Sequence, residues 1–167
     1  MNIPYFSTTM QSPLGDLRLT SNGQAMTGVY MSTQQTHSPA ENASKECSIL
    51  QQAKRQLNEY FSGQRHHFEL PLAPSGTEFQ QRVWKALCTI SYGQTVSYQY
   101  LANLVGNPKG CRAVGLANSK NPISIIIPCH RVIGTNGKLT GYAGGLDNKK
   151  WLLEREVAAA TFRMKIA

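Results

Sequence analysis

The chain has 167 residues, and 17 Lys plus Arg against 9 Asp plus Glu give it a formal net charge of +8 although only 16% of its residues are charged. A chain of this length fits one domain or two small ones and buries roughly 70% of its extended surface, so its core needs no staples. At 41% hydrophobic it is globular in composition, and its longest apolar run, residues 123–127, is broken by Ser124 and falls far short of the about 20 residues of a membrane span.

Residues 1–5 lack the basic and apolar stretches of a secretory signal. Four cysteines, Cys47, Cys88, Cys111 and Cys129, stand far apart with no CxxC pair, which suits neither a disulfide framework nor a cysteine zinc site. Free thiols in a cytoplasmic protein are expected. The first thirty residues alternate weakly and are punctuated at Gly15 and at Asn22-Gly23, so residues 5–31 read as an antiparallel strand set with a hairpin. A polar loop over 32–43 follows. Ile49, Leu50, Ala53, Leu57, Tyr60 and Phe61 recur at helical spacing, which predicts one amphipathic helix over 44–61 with Gly63 as its stop. The Pro- and Gly-containing stretch 71–76 is the best linker candidate, dividing residues 1–74 from 75–167.

Beyond the linker the chain turns helical. Thr77 and Gln80 form a capping-box pattern ahead of Phe79, Val83, Trp84, Leu87 and Ile90. Ser97 can cap a short helix that Gly106-Asn107-Pro108 ends, and a second helix is predicted over about 111–119. Two short helices joined by a Gly-containing turn fit a helix-turn-helix, although pattern alone favours an ordinary helical hairpin. A last helix starts at Asp147 and runs to Glu156 or beyond.

Charge divides at the same place. Residues 1–78 are net −1, whereas between Glu78 and Asp147 no acidic residue faces Arg82, Lys85, Lys109, Arg112, Lys120, Arg131 and Lys138. This is the footprint of a polyanion partner, or of a basic soluble surface.

The most informative string is 121–134. It brings Cys129 to the end of a buried run, after Pro128 and before His130 and Arg131, where it can be solvent accessible. A thiol attacks only as thiolate, and neighbouring cations lower its pKa. Cys47 and Cys88, in apolar-periodic helices, read as inert buried thiols; Cys111, beside Arg112 at a helix start, fits either description.

The string Pro128-Cys129-His130-Arg131-Val132 resembles the active-site signature of O6-alkylguanine-DNA alkyltransferases. The likeness runs through Phe79-Gln80-Gln81-Arg82-Val83-Trp84, Gly93-Gln94-Thr95-Val96-Ser97-Tyr98, Arg112-Ala113-Val114-Gly115, Asn121-Pro122, Gly141-Tyr142-Ala143-Gly144-Gly145 and Lys149-Lys150-Trp151-Leu152-Leu153, while the N-terminal half matches in outline only. The resemblance implies a fold of two parts. An N-terminal α/β domain holds a small antiparallel sheet with a helix, ribonuclease-H-like. A mainly α C-terminal domain carries a helix-turn-helix, winged-helix-like, for DNA binding and alkyl transfer.

The implied reaction is direct-reversal DNA repair: one irreversible transfer of the alkyl group of O6-methylguanine to Cys129, with O4-methylthymine left open as a second lesion. His130 would take the thiol proton through a water, Glu156 would orient His130, Asn121 would brace the active-site segment, and Tyr98 would protonate the leaving guanine. Val132, Tyr142, Ala143 and Gly144 would line the guanine pocket. Some members carry Ser at the position of Ala143, which keeps the backbone N–H but lacks the hydroxyl. Arg112 would be a finger that fills the space of the flipped base. Ala113, Gly115, Thr95, Ser97, Gln99 and Lys120 would meet DNA from the minor groove, largely independently of sequence.

No cofactor is implied, the protein would act as a monomer, and no membrane is involved. Cys47, His37, His66 and His67 lack zinc-ligand spacing, so no metal is expected. Residue spacing by itself leaves Tyr98 a core-facing helix residue and Glu156 a solvated partner of Lys149 or Lys150. A non-repairing binder of alkylated DNA would lack the reactive Cys129. A helix-turn-helix regulator would leave the Cys129, His130 and Glu156 trio without a task. A Cys-His hydrolase would not explain Arg112.

Overall fold

The structure, a computed structural model, describes residues 5–34 and 46–166, with 160–166 described by backbone alone. His37 and most of the polar loop expected over 32–43 lie outside the described residues. Backbone proximity divides the chain into two compact units, residues 1–75 with 122–126, and residues 76–121 with 127–167.

The first unit is built on a three-stranded antiparallel sheet in the order β1 (Phe6–Met10), β2 (Leu17–Ser21), β3 (Met26–Met31). The sequence alternates because one face of this sheet is buried: Leu17, Leu19, Met26, Val29 and Met31 are at most 2% exposed. Both connections use a glycine with positive φ, Gly15 at 93° and Gly23 at 92°, where a side chain would be strained. Asn22 tightens the β2–β3 turn, its Oδ1 accepting from the N–H groups of Gln24 and Ala25 at 2.9 Å each.

Helix α1 (Ser48–Phe61) lays Leu50, Ala53, Leu57, Tyr60 and Phe61 into the core. It begins later than the expected residue 44, with Cys47 as its N-cap. Gln56 is buried on it but satisfied, donating to the Glu69 carbonyl at 3.1 Å and accepting from the Glu69 N–H at 2.9 Å. The free edge of β3 is covered by bridges to Leu72 and to Ile123. Within 122–126, Ile125 is 1% exposed and holds φ at 73°, a left-handed conformation that a β-branched residue rarely adopts.

The second unit is helical. Helix α2 (Glu78–Leu87) has the capping box that its sequence predicts, the Thr77 hydroxyl accepting from the Gln80 N–H and the Gln80 side chain from the Thr77 N–H. Its buried face is Val83, Trp84 and Leu87, and the Trp84 indole donates to the Ala117 carbonyl at 2.8 Å. Burying an aromatic of this size stabilises by about 1.5–3 kcal/mol.

Helices α3 (Tyr98–Leu104) and α4 (Cys111–Ser119) pack through Leu101, Ala102, Val114 and Ala117 and form the expected helix pair. Ser97 caps α3, accepting from the Tyr100 N–H at 3.0 Å. A short parallel pair of strands, β4 (Val96–Ser97) and β5 (Val132–Ile133), joins the entry of α3 to the residues after Cys129. Helix α5 (Leu146–Ile166) closes the unit. No helix among the described residues is long and apolar enough to cross a membrane.

Candidate active site

Cys129 opens a single turn of 3-10 helix, Cys129–Arg131, between the apolar run and β5. The thiol is not accessible as expected: Cys129 is 4% exposed. Burial pushes its pKa up to about 11, against the pull of the Asn121 amide, the Lys149 ammonium and a backbone hydrogen bond. At neutral pH it is therefore a thiol. Arg131 does not activate it as the sequence suggested. Its guanidinium turns away to Glu156, with Nε at 2.9 Å from Oε2 and Nη2 at 3.0 Å from Oε1, while Nη1 donates to the Ile90 carbonyl at 2.7 Å. The cation near Cys129 is Lys149, which the sequence placed in the 149–153 string and as a candidate surface partner of Glu156.

His130 is wholly buried, and its Nε2 lies 2.8 Å from Glu156 Oε1. Burial of Glu156 opposes its ionisation, but the hydrogen bonds and charges of His130 and Arg131 outweigh this and hold its pKa at about 2. An ionised carboxylate only accepts, so the proton of neutral His130 sits on Nε2. That leaves a lone pair on Nδ1, which is buried and has no hydrogen-bond partner. Burial, the strongest influence on His130, lowers its pKa with help from Arg131 and Lys149 and against Glu156, so the ring is neutral at pH 7. Glu156 is thus no solvated partner of a lysine; Lys150 instead meets Glu154.

The segment around the thiol is held by side-chain donors on its carbonyls. Asn121 Nδ2 reaches Ile127 O at 2.8 Å. Two further donors had no such role assigned from the sequence. Asn118 Nδ2 reaches Cys129 O at 3.3 Å, and Lys149 Nζ donates to Val132 O at 2.6 Å and to Thr140 O at 2.8 Å. Lys149 is 0% exposed. The only forewarning of its burial was its place one turn before Leu152 on an apolar helix face.

The Tyr98 hydroxyl also donates to Thr140 O, at 3.1 Å, which sets the phenol beside the 141–145 loop. In that loop Gly144 is buried, Tyr142 is half-buried and Ala143 is exposed. Asn148 pins the loop from the start of α5, donating to Gly144 O at 2.8 Å.

Arg112 and Ala113 are exposed in the first turn of α4, with Gly115 half-buried, and Lys120 is exposed at its C-cap. Thr95 is exposed, and the Ser97 hydroxyl is used in the α3 cap. Gln99 is occupied in the helix–helix turn, donating to Pro108 O at 2.8 Å and to Asn103 Oδ1 at 3.0 Å and accepting from Cys111 Sγ at 3.1 Å. Cys88 proves exposed and Cys47 half-buried rather than inert core thiols, because α2 ends at Leu87 and α1 starts at Ser48.

Residues 5–74 match the family model described as 6-O-methylguanine DNA methyltransferase, ribonuclease-like domain, and residues 78–158 match its DNA binding domain. A methylated-DNA–protein-cysteine methyltransferase of Mycobacterium bovis is 49% identical over 153 residues, covering 91% of this chain and 92% of the relative. One from Methanosarcina barkeri is 48% identical over 149 residues, covering 88% and 94%. The crystal structure of Mycobacterium tuberculosis OGT in complex with DNA matches with a TM-score of 0.86 at 47% identity, over 92% of this chain and 94% of that one.

A buried thiol, a neutral imidazole and an ionised carboxylate, carried on one unit with a helix-turn-helix, define a class of protein: a thiol group-transfer site on a DNA-binding fold. The chain belongs to the 6-O-methylguanine DNA methyltransferase family.

Proposed function

We propose that the chain repairs DNA by direct reversal, taking the methyl group of O6-methylguanine onto Cys129 once and irreversibly. The observation that carries this reading is the Cys129, His130 and Glu156 cluster: a thiol that burial keeps protonated, beside a neutral imidazole whose free nitrogen is Nδ1 and whose other nitrogen is held by an ionised carboxylate.

The sulfur needs a base at the moment of reaction, and His130 Nδ1 is that base, reached through a water. The imidazolium so formed is stabilised by Glu156. Sulfur bonds to the methyl carbon as the C–O6 bond breaks, and the electron pair of that bond passes into the purine. Tyr98 exchanges Thr140 for a guanine ring nitrogen and delivers the proton that restores guanine, and the proton held by the imidazolium passes through water to replace the one the phenol gave up. The product is a thioether with no leaving path, so each molecule reacts once.

A thiol this buried cannot meet a stacked base, so the nucleotide is flipped into the 141–145 loop, and Arg112 fills its place. Ala113 and Gly115 let α4 approach the minor groove. The described residues need no cofactor for this chemistry, and four unpaired thiols suit the cytoplasm.

The test is the intact mass of the reduced protein after incubation with duplex DNA bearing one O6-methylguanine. One methylene per chain is expected, lost in Cys129→Ala; no gain would overturn the reading.

A further inference from the structure

The last turn of α4 carries a side chain that neither charge nor motif marks. Asn118 is 2% exposed, and its Nδ2 donates to the main-chain carbonyl of Cys129 at 3.3 Å. Its Oδ1 is buried without a hydrogen-bond partner. An orphaned buried carbonyl oxygen is destabilising, and leucine, of nearly the same shape, would avoid that penalty. Packing by itself therefore does not account for an asparagine here.

The donors on the thiol-bearing segment divide its length. Asn121 takes Ile127, Lys149 takes Val132, and Asn118 takes the carbonyl of Cys129 itself. Asn118 does so from the helix whose first turn presents Arg112, and that helix is fixed in turn by the Trp84 indole on the carbonyl of the preceding residue, Ala117.

We propose that Asn118 is a positioning residue for alkyl transfer, holding the Cys129 carbonyl so that the sulfur faces both His130 and the incoming carbon. The inference rests on the alkyl-transfer reading. Displacement at carbon needs sulfur in line with the breaking C–O bond, and misplacing a reacting atom by a fraction of its contact distance costs rate steeply. Asn118 is buried away from the DNA-facing side of α4, so its loss acts on transfer and not on affinity. It also acts alike on every alkyl donor, whether or not DNA carries it.

Asn118→Leu tests this in single-turnover reactions with a methylated duplex and with free O6-benzylguanine. Both rates should fall, by about tenfold and by equal factors, with the Kd for DNA unchanged and the Tm unchanged or raised. Wild-type rates on both donors would overturn the proposal, as would a rate loss accompanied by a lowered Tm, which marks a merely structural role.

A second measurement separates the inference from the repair reading. Methylation of Cys129 by iodomethane, followed by peptide mass with Cys88 as internal control, should slow in Asn118→Leu relative to Cys88. An unchanged ratio overturns the positioning role. A wild-type chain that accepts methyl from iodomethane but never from DNA overturns the repair reading and leaves the positioning role to be decided by that ratio.

Discussion

Burial of Cys129 and His130 moves their pKa values in opposite directions, and this fixes how the reaction responds to pH. The thiol stays protonated to about pH 11, while His130 stays neutral to below its ordinary 6.5. If His130 supplies the base, the single-turnover rate is flat from pH 9 to 6.5 and falls below that. A rate that climbs tenfold per pH unit up to pH 9 would mean that a preformed thiolate does the work.

The same groups shape stability. Glu156 is held at about 2 against an ordinary 4.5, so its contribution is present above pH 4.5 and is lost as pH falls from 4.5 toward 2. Cys129 is raised from 9.0 to about 11, so stability falls as pH rises across that interval, a limb that Cys129→Ala removes. Glu156→Gln strands the buried Arg131 and should cost about 3–5 kcal/mol, read by urea unfolding, together with most of the transfer rate. The juxtaposition of Cys129 and His130 was legible in the sequence, because Cys followed by His and Arg is a local pattern. The pairing of Arg131 with Glu156 was not, since it joins residues 25 apart in the chain and only packing decides which partner the guanidinium takes.

Helix α4 is the element on which the proposed approach to DNA depends. Its exposed first turn carries Arg112, and the charge-free Ala113 and Gly115 leave its surface low. Arg112→Ala should slow transfer from duplex DNA at least tenfold, because extrusion of the base then lacks its substitute in the stack, while transfer from free O6-benzylguanine stays as in the wild type. Equal slowing of both donors would remove the finger role. This pattern is the opposite of that expected for Asn118→Leu, although both residues sit on one helix.

The helices themselves were legible where their signals are local. Thr77 with Gln80, Ser97, and the span 111–119 all stand as the sequence predicts, since caps and helical spacing act within a few residues. The parallel pairing of Val96 with Val132 was not, because two-residue strands far apart in the chain carry no periodic signal. Asn118 and Lys149 escaped for a related reason: each is a polar residue buried on a helix face by carbonyls that arrive from elsewhere.

At the scale of the molecule, the charge of +8 is concentrated after residue 78, in the half that matches the DNA binding domain. Lys109, Arg112 and Lys120 are exposed at the ends of the helix pair. Engaging about three phosphates through such cations makes affinity fall roughly 10- to 100-fold between 50 and 200 mM salt, measured by fluorescence anisotropy on duplexes of unrelated sequence. The slope should be the same for each sequence, since phosphate contacts carry no base information. The absence of carboxylates between Glu78 and Asp147 then has a physical use, as none stands there to repel the backbone. Glu156, outside that stretch, is 0% exposed and held by His130 and Arg131.

The central claim is that the alkyl carbon moves from guanine to the Cys129 sulfur and leaves guanine in the strand. A duplex carrying O6-(trideuteromethyl)guanine, reacted with an equimolar amount of reduced protein, tests it in one digest of protein and DNA. One trideuteromethyl group is expected on the Cys129 peptide for each guanine restored in an unbroken strand. Label on another residue, or a free methylated base and an abasic site in the DNA, would contradict it.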